Sequence, residues 1–323
     1  MRFHKILLSG LTAVAGLGMA SQALADGRNP GSLLVYPEFD NRDGVVTLLT
    51  VTNTDADGED VKVEFKYIGR YNWLGFEINC EEFNRTETLT ANDTLSLITN
   101  FHNPQYEQGY VYVFAKEGVD GIQHDALIGN VMTVDGLLAF EYSVNPFAYN
   151  HLGASDGDGL RDLDGVEYEG TPDELYVPRF LGQGGPYKSE LILIGLTGGA
   201  AFDTTVDFLI YNDNEEVFSS EHSFDCWDNV ALTDISGIFD NLFLQMYTND
   251  DPNEVFGAPQ LETGWIRIDG SVASSNVRSI PDPAFVAVLT EGLRTLRVAD
   301  LPFTKGVQTN GDLLPRSIAG DDD

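Results

Sequence analysis

A period of two dominates the apolar pattern of this chain. Val61, Val63, Phe65 and Tyr67 alternate with Lys62, Glu64 and Lys66, and Tyr110, Tyr112 and Phe114 alternate with Val111, Val113 and Ala115. Alternation sends successive side chains to opposite faces of an extended strand, so such runs are strands and not helices. Residues 33–36, 45–52, 86–90, 94–98 and 126–134 form similar short runs rich in β-branched and aromatic residues, each bounded by Gly, Asn or Asp. No long stretch carries a helical period. Strands spaced about 10 to 15 residues apart with turn chemistry between them predict an all-β, antiparallel fold. The turn at residues 53–60 predicts a hairpin joining the runs 45–52 and 61–67.

The same order of elements occurs twice. Residues 191–196 repeat 47–51, residues 205–211 repeat 61–67, residues 264–268 repeat 109–113, and residues 284–289 repeat 126–131. Phe224-Asp225-Cys226 stands where Ile78-Asn79-Cys80 stood, which places the two cysteines on equivalent strands. The pattern predicts an internal duplication: two tandem antiparallel β-sandwich (immunoglobulin-like) domains at residues 26–144 and 187–305. Turn chemistry at Asn145-Pro146, Thr171-Pro172 and Gly182 to Pro186 predicts an acidic connector over 145–186, and residues 306–323 form a polar acidic tail. The order of elements, more than residue identity, carries the duplication; two unrelated β domains sharing a pattern is the competing explanation.

Residues 1–25 resemble a secretory signal peptide. Arg2 and Lys5 give a positive start, residues 6–19 an apolar run, and Ala23-Leu24-Ala25 a small-x-small cleavage site. The apolar run falls short of the roughly 20 residues that span a bilayer, so the expectation is export without membrane insertion. The formal charge is −33, from 18 basic and 51 acidic residues, and removing Arg2 and Lys5 makes it more negative still. A surface of that sign repels nucleic acid and anionic lipid, so neither is expected as a partner, and it favours cations. Disorder does not follow from the acidity, because 42% of residues are hydrophobic and 11% aromatic, enough for packed cores.

An exported chain with two cysteines, Cys80 and Cys226, predicts one disulfide, here a staple between the two halves. Two free buried thiols are the alternative.

Near the middle lies Asp156-Gly157-Asp158-Gly159-Leu160-Arg161-Asp162-Leu163-Asp164-Gly165-Val166-Glu167. Calcium prefers six to eight oxygens from closely spaced carboxylates and carbonyls. Asp156, Asp158, Asp162, Asp164 and Glu167 offer that spacing, although Leu160 and the absence of flanking helical periodicity argue against an EF-hand. Residues 156–162 instead resemble one thrombospondin type 3 calcium-binding repeat of exported bacterial proteins, with Ala154 in place of the repeat's first Asp. That resemblance implies a calcium-stiffened connector; a solvated acidic linker is the alternative.

Catalytic signatures are sparse. The segment after residue 25 holds no Gly-x-Ser-x-Gly elbow, no phosphate-binding Gly loop and no zinc-like spacing among His102, His124, His151 and His222. His124-Asp125 is an acid–base pair only if the fold brings the side chains together. The best candidate ligand face is the aromatic row Tyr110, Tyr112 and Phe114, with Trp265 at the matching place in the second half. Exposed, these rings would stack on sugars; buried, they would form the inside of the fold. Two functions follow. One is an exported, non-enzymatic cell-surface, matrix, adhesive or structural protein whose partners are surface proteins or glycans. The other is a secreted carbohydrate-active protein, either a glycan-binding module or a glycoside hydrolase.

Overall fold

The computed structural model describes residues 29–74, 76–135, 139–154, 161–212, 214–247, 261–293 and 296–313. The expected signal peptide lies outside these residues. Strand makes up 62% of the structure and the three α-helices among the described residues are short, so the fold is all-β, as the alternation predicts.

In the first half the strands are β1 (Leu33–Asp40), β2 (Val45–Asn53), β3 (Val61–Trp73), β4 (Phe76–Leu89), β5 (Thr94–Ile98), β6 (Gln108–Glu117), β7 (Asp120–Gly121), β8 (Leu127–Asp135), β9 (Ala139–Val144) and β10 (Phe147–Tyr149). After β11 (Asp162–Leu163), the second half holds β12 (Glu174–Leu181), β13 (Tyr187–Gly195), β14 (Asp203–Asn212), β15 (Val217–Phe224), β16 (Trp227–Ala231), β17 (Thr263–Ser274), β18 (Ser279–Pro281), β19 (Phe285–Leu293), β20 (Leu296–Asp300) and β21 (Phe303–Lys305), followed by β22 (Gly311–Asp312). Among the described residues these strands form four antiparallel sheets and a small two-stranded one, β11-β22. Sheet I runs β5-β2-β8-β9, and sheet II runs β10-β1-β6-β3-β4 with β7 beside β6. Sheet III runs β16-β13-β19-β20, and sheet IV runs β15-β14-β17-β12-β21 with β18 beside β17. Sheet III thus repeats sheet I and sheet IV repeats sheet II, strand for strand.

Local chemistry repeats as well. β1 carries a bulge at Tyr36-Pro37-Glu38-Phe39, and β12 carries one at Val177-Pro178-Arg179-Phe180. Proline lacks an N–H, so in a sheet it is confined to edges, first positions and bulges. Each bulge reaches the strand opposite at a glycine, Gly109 in β6 and Gly264 in β17. A Cβ on Gly109 would lie 2.0 Å from the Ile68 carbonyl oxygen, and one on Gly264 2.2 Å from that of Tyr211.

Several expectations change. The turn at residues 53–60 does not close a hairpin: β2 lies in sheet I and β3 in sheet II, so the chain crosses between layers there. Residues 145–186 are not a plain connector, because β10 completes sheet II and β12 is the second half's counterpart of β1. Within the expected tail, β22 pairs with β11, and Leu313 is buried. The disulfide joins Cys80 and Cys226, with Cα atoms 5.8 Å apart, but the positions are not equivalent. Cys80 lies within β4, whereas Cys226 follows the end of β15.

Packing explains why the arrangement is a propeller-like set of four small sheets and not clearly two immunoglobulin-like sandwiches. Tyr36 in sheet II donates its hydroxyl to the Thr50 carbonyl in sheet I at 2.8 Å, so the face of sheet II carrying Tyr36, Val111 and Val113 packs on sheet I. In sheet III, Leu191, Leu193, Phe285 and Ala287 face sheet IV in one core cluster. The opposite face of sheet III, with Ile192, Ile194, Val286 and Val288, joins the core cluster of the first half. Both faces of sheet III are therefore apolar and buried, and neither half closes without the other. Each of the Leu, Ile, Val and Phe side chains among them contributes about 1.5–3 kcal/mol by leaving water.

Candidate functional site

The aromatic row of β6 lies at the seam between the halves. Tyr110, Tyr112 and Phe114 are buried, at 1%, 2% and 1% exposure. They project from the face of sheet II opposite Tyr36, beside Leu33 and Val35, toward the second half. An open ligand face at these three residues is therefore ruled out. The reason was present in the strand: its other positions, Val111, Val113 and Ala115, are apolar too, and a strand apolar on both faces is covered on both.

Polar contacts fix the seam. Trp227 of β16 donates its indole N–H to the Pro37 carbonyl at 2.9 Å, and the Arg70 guanidinium lies 5.1 Å from its ring centroid. Asn229 donates to Glu38 at 2.7 Å, and the Tyr142 hydroxyl donates to the other Glu38 oxygen. Burial pushes the Glu38 carboxyl above its usual range. The hydrogen bonds from Tyr142 and Asn229 oppose the rise, Asp40 adds to it, and Arg297 lowers it. The disulfide and a 2.8 Å hydrogen bond from Asn79 to Asp225 close the same edge.

Sheet IV carries the second copy of this face, and there it is open. Tyr211, Trp265, Tyr176 and Phe303 stand on adjacent strands where Ile68, Tyr110, Val35 and Phe147 stand in sheet II. Phe147 is 3% exposed and Phe303 66%. Toward the other end of the face, Leu33, Tyr112, Phe114 and Tyr149 of the first copy become Glu174, Arg267, Asp269 and Lys305. Arg267 pairs with Glu174 at 2.5 Å and with Asp269 at 2.9 Å, and Lys305 pairs with Glu174 at 2.9 Å. Four apolar residues exchanged for a mutually neutralising ion network explain why this copy tolerates water. The Tyr211 and Trp265 rings stack on each other, centroids 4.0 Å apart and 1° from parallel, with Tyr176 stacked beyond Trp265 at 6.3 Å. Trp265, the central ring, thus has a ring against each of its faces. A sugar-stacking platform needs a free ring face, so this row is poorly shaped for one.

The central acidic segment splits across the described residues. Asp156 and Asp158 lie outside them. Asp164 accepts hydrogen bonds from the Val166 and Glu167 main-chain N–H groups at 2.7 and 3.0 Å, and Glu167 accepts one from the Asp162 N–H at 2.9 Å. The segment is bolted to the first half: Arg161 lies 4.2 Å over the Phe114 ring and donates to the Val119 carbonyl, while Tyr168 packs edge-on against His151. It forms part of the seam's cover and not a free linker.

Sequence reading passed over a second acidic group. Asp173, Asp269 and Asp282 offer carboxylate oxygens within 4.8 Å of one another, a spacing that suits a divalent cation. Burial raises Asp282, with Asp173 and Asp269 adding to the rise, and burial also raises Asp269 against the pull of Arg267. Asp173 precedes β12, Asp269 lies in β17 and Asp282 follows β18, so only the fold assembles them.

His124 and Asp125 do not pair with each other. His124 Nε2 meets Asn53 Oδ1 at 2.9 Å, whereas Asp125 accepts from the Ser32 hydroxyl at 2.6 Å and the His151 N–H at 3.0 Å. These contacts tie the turn at His124-Asp125 to Ser32, Asn53 and His151.

No protein-family model and no curated protein matches the chain. A solved structure of Broad Bean Stain Virus aligns over 96% of this chain and 99% of its own at 11% identity, with a TM-score of 0.18, a likeness too slight to inform fold or function.

Proposed function

We propose that this chain is an exported, non-enzymatic structural or adhesive protein of the cell surface or matrix, built as two tandem immunoglobulin-like sandwiches. Burial of Tyr110, Tyr112 and Phe114 carries the reading, because the residues best suited to a sugar are spent on joining the halves. A disulfide-stapled, doubly packed body resists shear and proteolysis, properties of use to a surface or matrix component. The glycan-binding alternative draws on the Tyr211–Trp265–Tyr176 row, whose covered ring faces count against it. Fractionating the source cells into medium, surface and periplasm, together with a glycan array and a glycoside-hydrolysis screen, tests the proposal. Surface or matrix retention without hydrolysis supports it; turnover of a glycan, or saturable glycan binding lost in Trp265→Ala, overturns it.

Calcium is part of the proposal, with the central loop and the Asp173, Asp269, Asp282 group as its two candidate seats. Thermal unfolding in EDTA and in millimolar calcium separates them, using Asp162→Ala and Asp282→Asn. A cation at a hundred times its Kd adds about 2.7 kcal/mol, and the seat is the one whose variant loses that gain.

A further inference from the structure

The duplication leaves two faces without their counterparts. Inside the chain, the outer face of sheet II packs on the outer face of sheet III. Sheet IV is the second copy of sheet II and sheet I the first copy of sheet III, and the outer faces of both are solvent-accessible. We propose that the outer face of sheet IV docks on the outer face of sheet I of a second copy, repeating between molecules the contact already made within each one. This deepens the structural reading above and rests on it.

Three observations favour a second copy as the occupant. First, the free face of sheet IV keeps the aromatic end of its buried counterpart, with Phe303 66% exposed, while Glu174, Arg267, Asp269 and Lys305 at its charged end pair with one another. Second, sheet I presents Ile128, 41% exposed, where sheet III presents the buried Val286, with Thr50, Thr52 and Asn130 beside it on the same outward face. Third, an opening of about 150 Å³ lies at Pro178 and Arg179, lined also by Leu289, Val298 and Leu301. The corresponding place in the first half, at Pro37 and Glu38, is filled by Trp227 and Asn229 of β16. The strand matching β16 in the first half is β5, so β5 of a second copy is the element that would fill the opening.

The contact between molecules is weaker than the one within. Where sheet III presents Ile192, Ile194 and Val288, the matching positions of sheet I are Thr50, Thr52 and Asn130. No second disulfide is available, since Cys80 and Cys226 are already joined. Assembly is therefore reversible, and the strong negative charge of each copy opposes it until salt screens the repulsion. Because the two faces differ, the contact is head-to-tail; it does not close on itself and yields chains of growing length, not a dimer.

Sedimentation velocity of the full chain, across a wide concentration range at low and high salt, tests this. The wild type should grow past dimer without a plateau, and more readily at high salt. Phe303→Glu blocks sheet IV and Ile128→Glu blocks sheet I, each at an exposed position, and Thr52→Glu, opposite Ile128 on β2, serves as a second block on sheet I. Each variant alone should remain monomeric with an unchanged thermal midpoint. Mixing Phe303→Glu with Ile128→Glu should give a dimer that grows no further, because one intact face of each kind remains. A wild type monomeric under every condition overturns the proposal, and so does a plateau at dimer or self-association that survives in either variant. None of these outcomes bears on the glycan and hydrolysis tests, so the two readings fail separately.

Discussion

The Trp227 indole of the second half donates its N–H to the Pro37 carbonyl of the first at 2.9 Å. Pro37 sits in a bulge, where the strand's carbonyl is not used by a neighbour in the ladder, and Trp227 opens the edge strand next to the disulfide. Hydrophobic burial, a hydrogen bond and a covalent staple thus converge on one edge of the seam.

Trp227→Phe keeps most of the apolar contact and removes the donor. It should cost about 1–3 kcal/mol, the penalty for a buried acceptor left without a partner. Trp227→Ala, which also empties the space, should cost about 3–5 kcal/mol. Urea unfolding followed by circular dichroism measures both.

Reducing the Cys80–Cys226 bond releases a chain separation of 146 residues. The chain-entropy relation puts the loss at about 5 kcal/mol for a loop of that size. Unfolding midpoints of the wild type and of a Cys80→Ser, Cys226→Ser double variant should differ in that direction, with the native β-sheet spectrum retained.

Glu38 gives the seam a pH dependence. Its folded-state carboxyl is raised above the ordinary value of 4.5, so the native state holds its proton to higher pH than the unfolded chain does. Stability is then full below about 4.5 and falls as pH rises above it, until the folded carboxyl has also ionised. Glu38→Gln removes that loss. The Gln amide can also donate to the buried Asn229 Oδ1, which has no hydrogen-bond partner. The variant's advantage over wild type should widen from pH 4 to pH 7 in denaturant titrations; an advantage independent of pH would contradict the assignment.

Asp282 follows the same sign. Burial first, then Asp173 and Asp269, raise its carboxyl, so its ionisation weakens the fold as pH rises. Asp282→Asn should raise the thermal midpoint near neutral pH in EDTA. Asn also tolerates the φ of +52° at this position, which a β-branched residue would not.

Much of this was legible in the sequence, and the gaps have physical causes. The matches of β6 with β17, β8 with β19 and β3 with β14 were readable from alternation alone. The match of β1 with β12 was not, because residues 174–181 lie between the turn chemistry of Thr171-Pro172 and that of Gly182 to Pro186 and so fall inside the expected connector. Only the ladder shows that Pro178 occupies a bulge in a strand, as Pro37 does. Alternation shows that Tyr110, Tyr112 and Phe114 share a face but not what covers it, since that depends on Ile192, Val286 and Trp227, at least 70 residues away in sequence. The Asp173, Asp269 and Asp282 group was invisible for the same reason.

Hydroxyl-radical footprinting of the native protein, read residue by residue by mass spectrometry, tests most directly whether one copy of the duplicated face is a sealed seam and the other an open surface. Tyr110, Tyr112, Phe114 and Phe147 should be protected until the protein unfolds, while Phe303 and the edge of Trp265 are oxidised in the native state. Comparable oxidation of Tyr112 and Phe303 in the folded protein would mean that the halves do not pack through sheet II, and would contradict both the seam and the assembly built on its repetition.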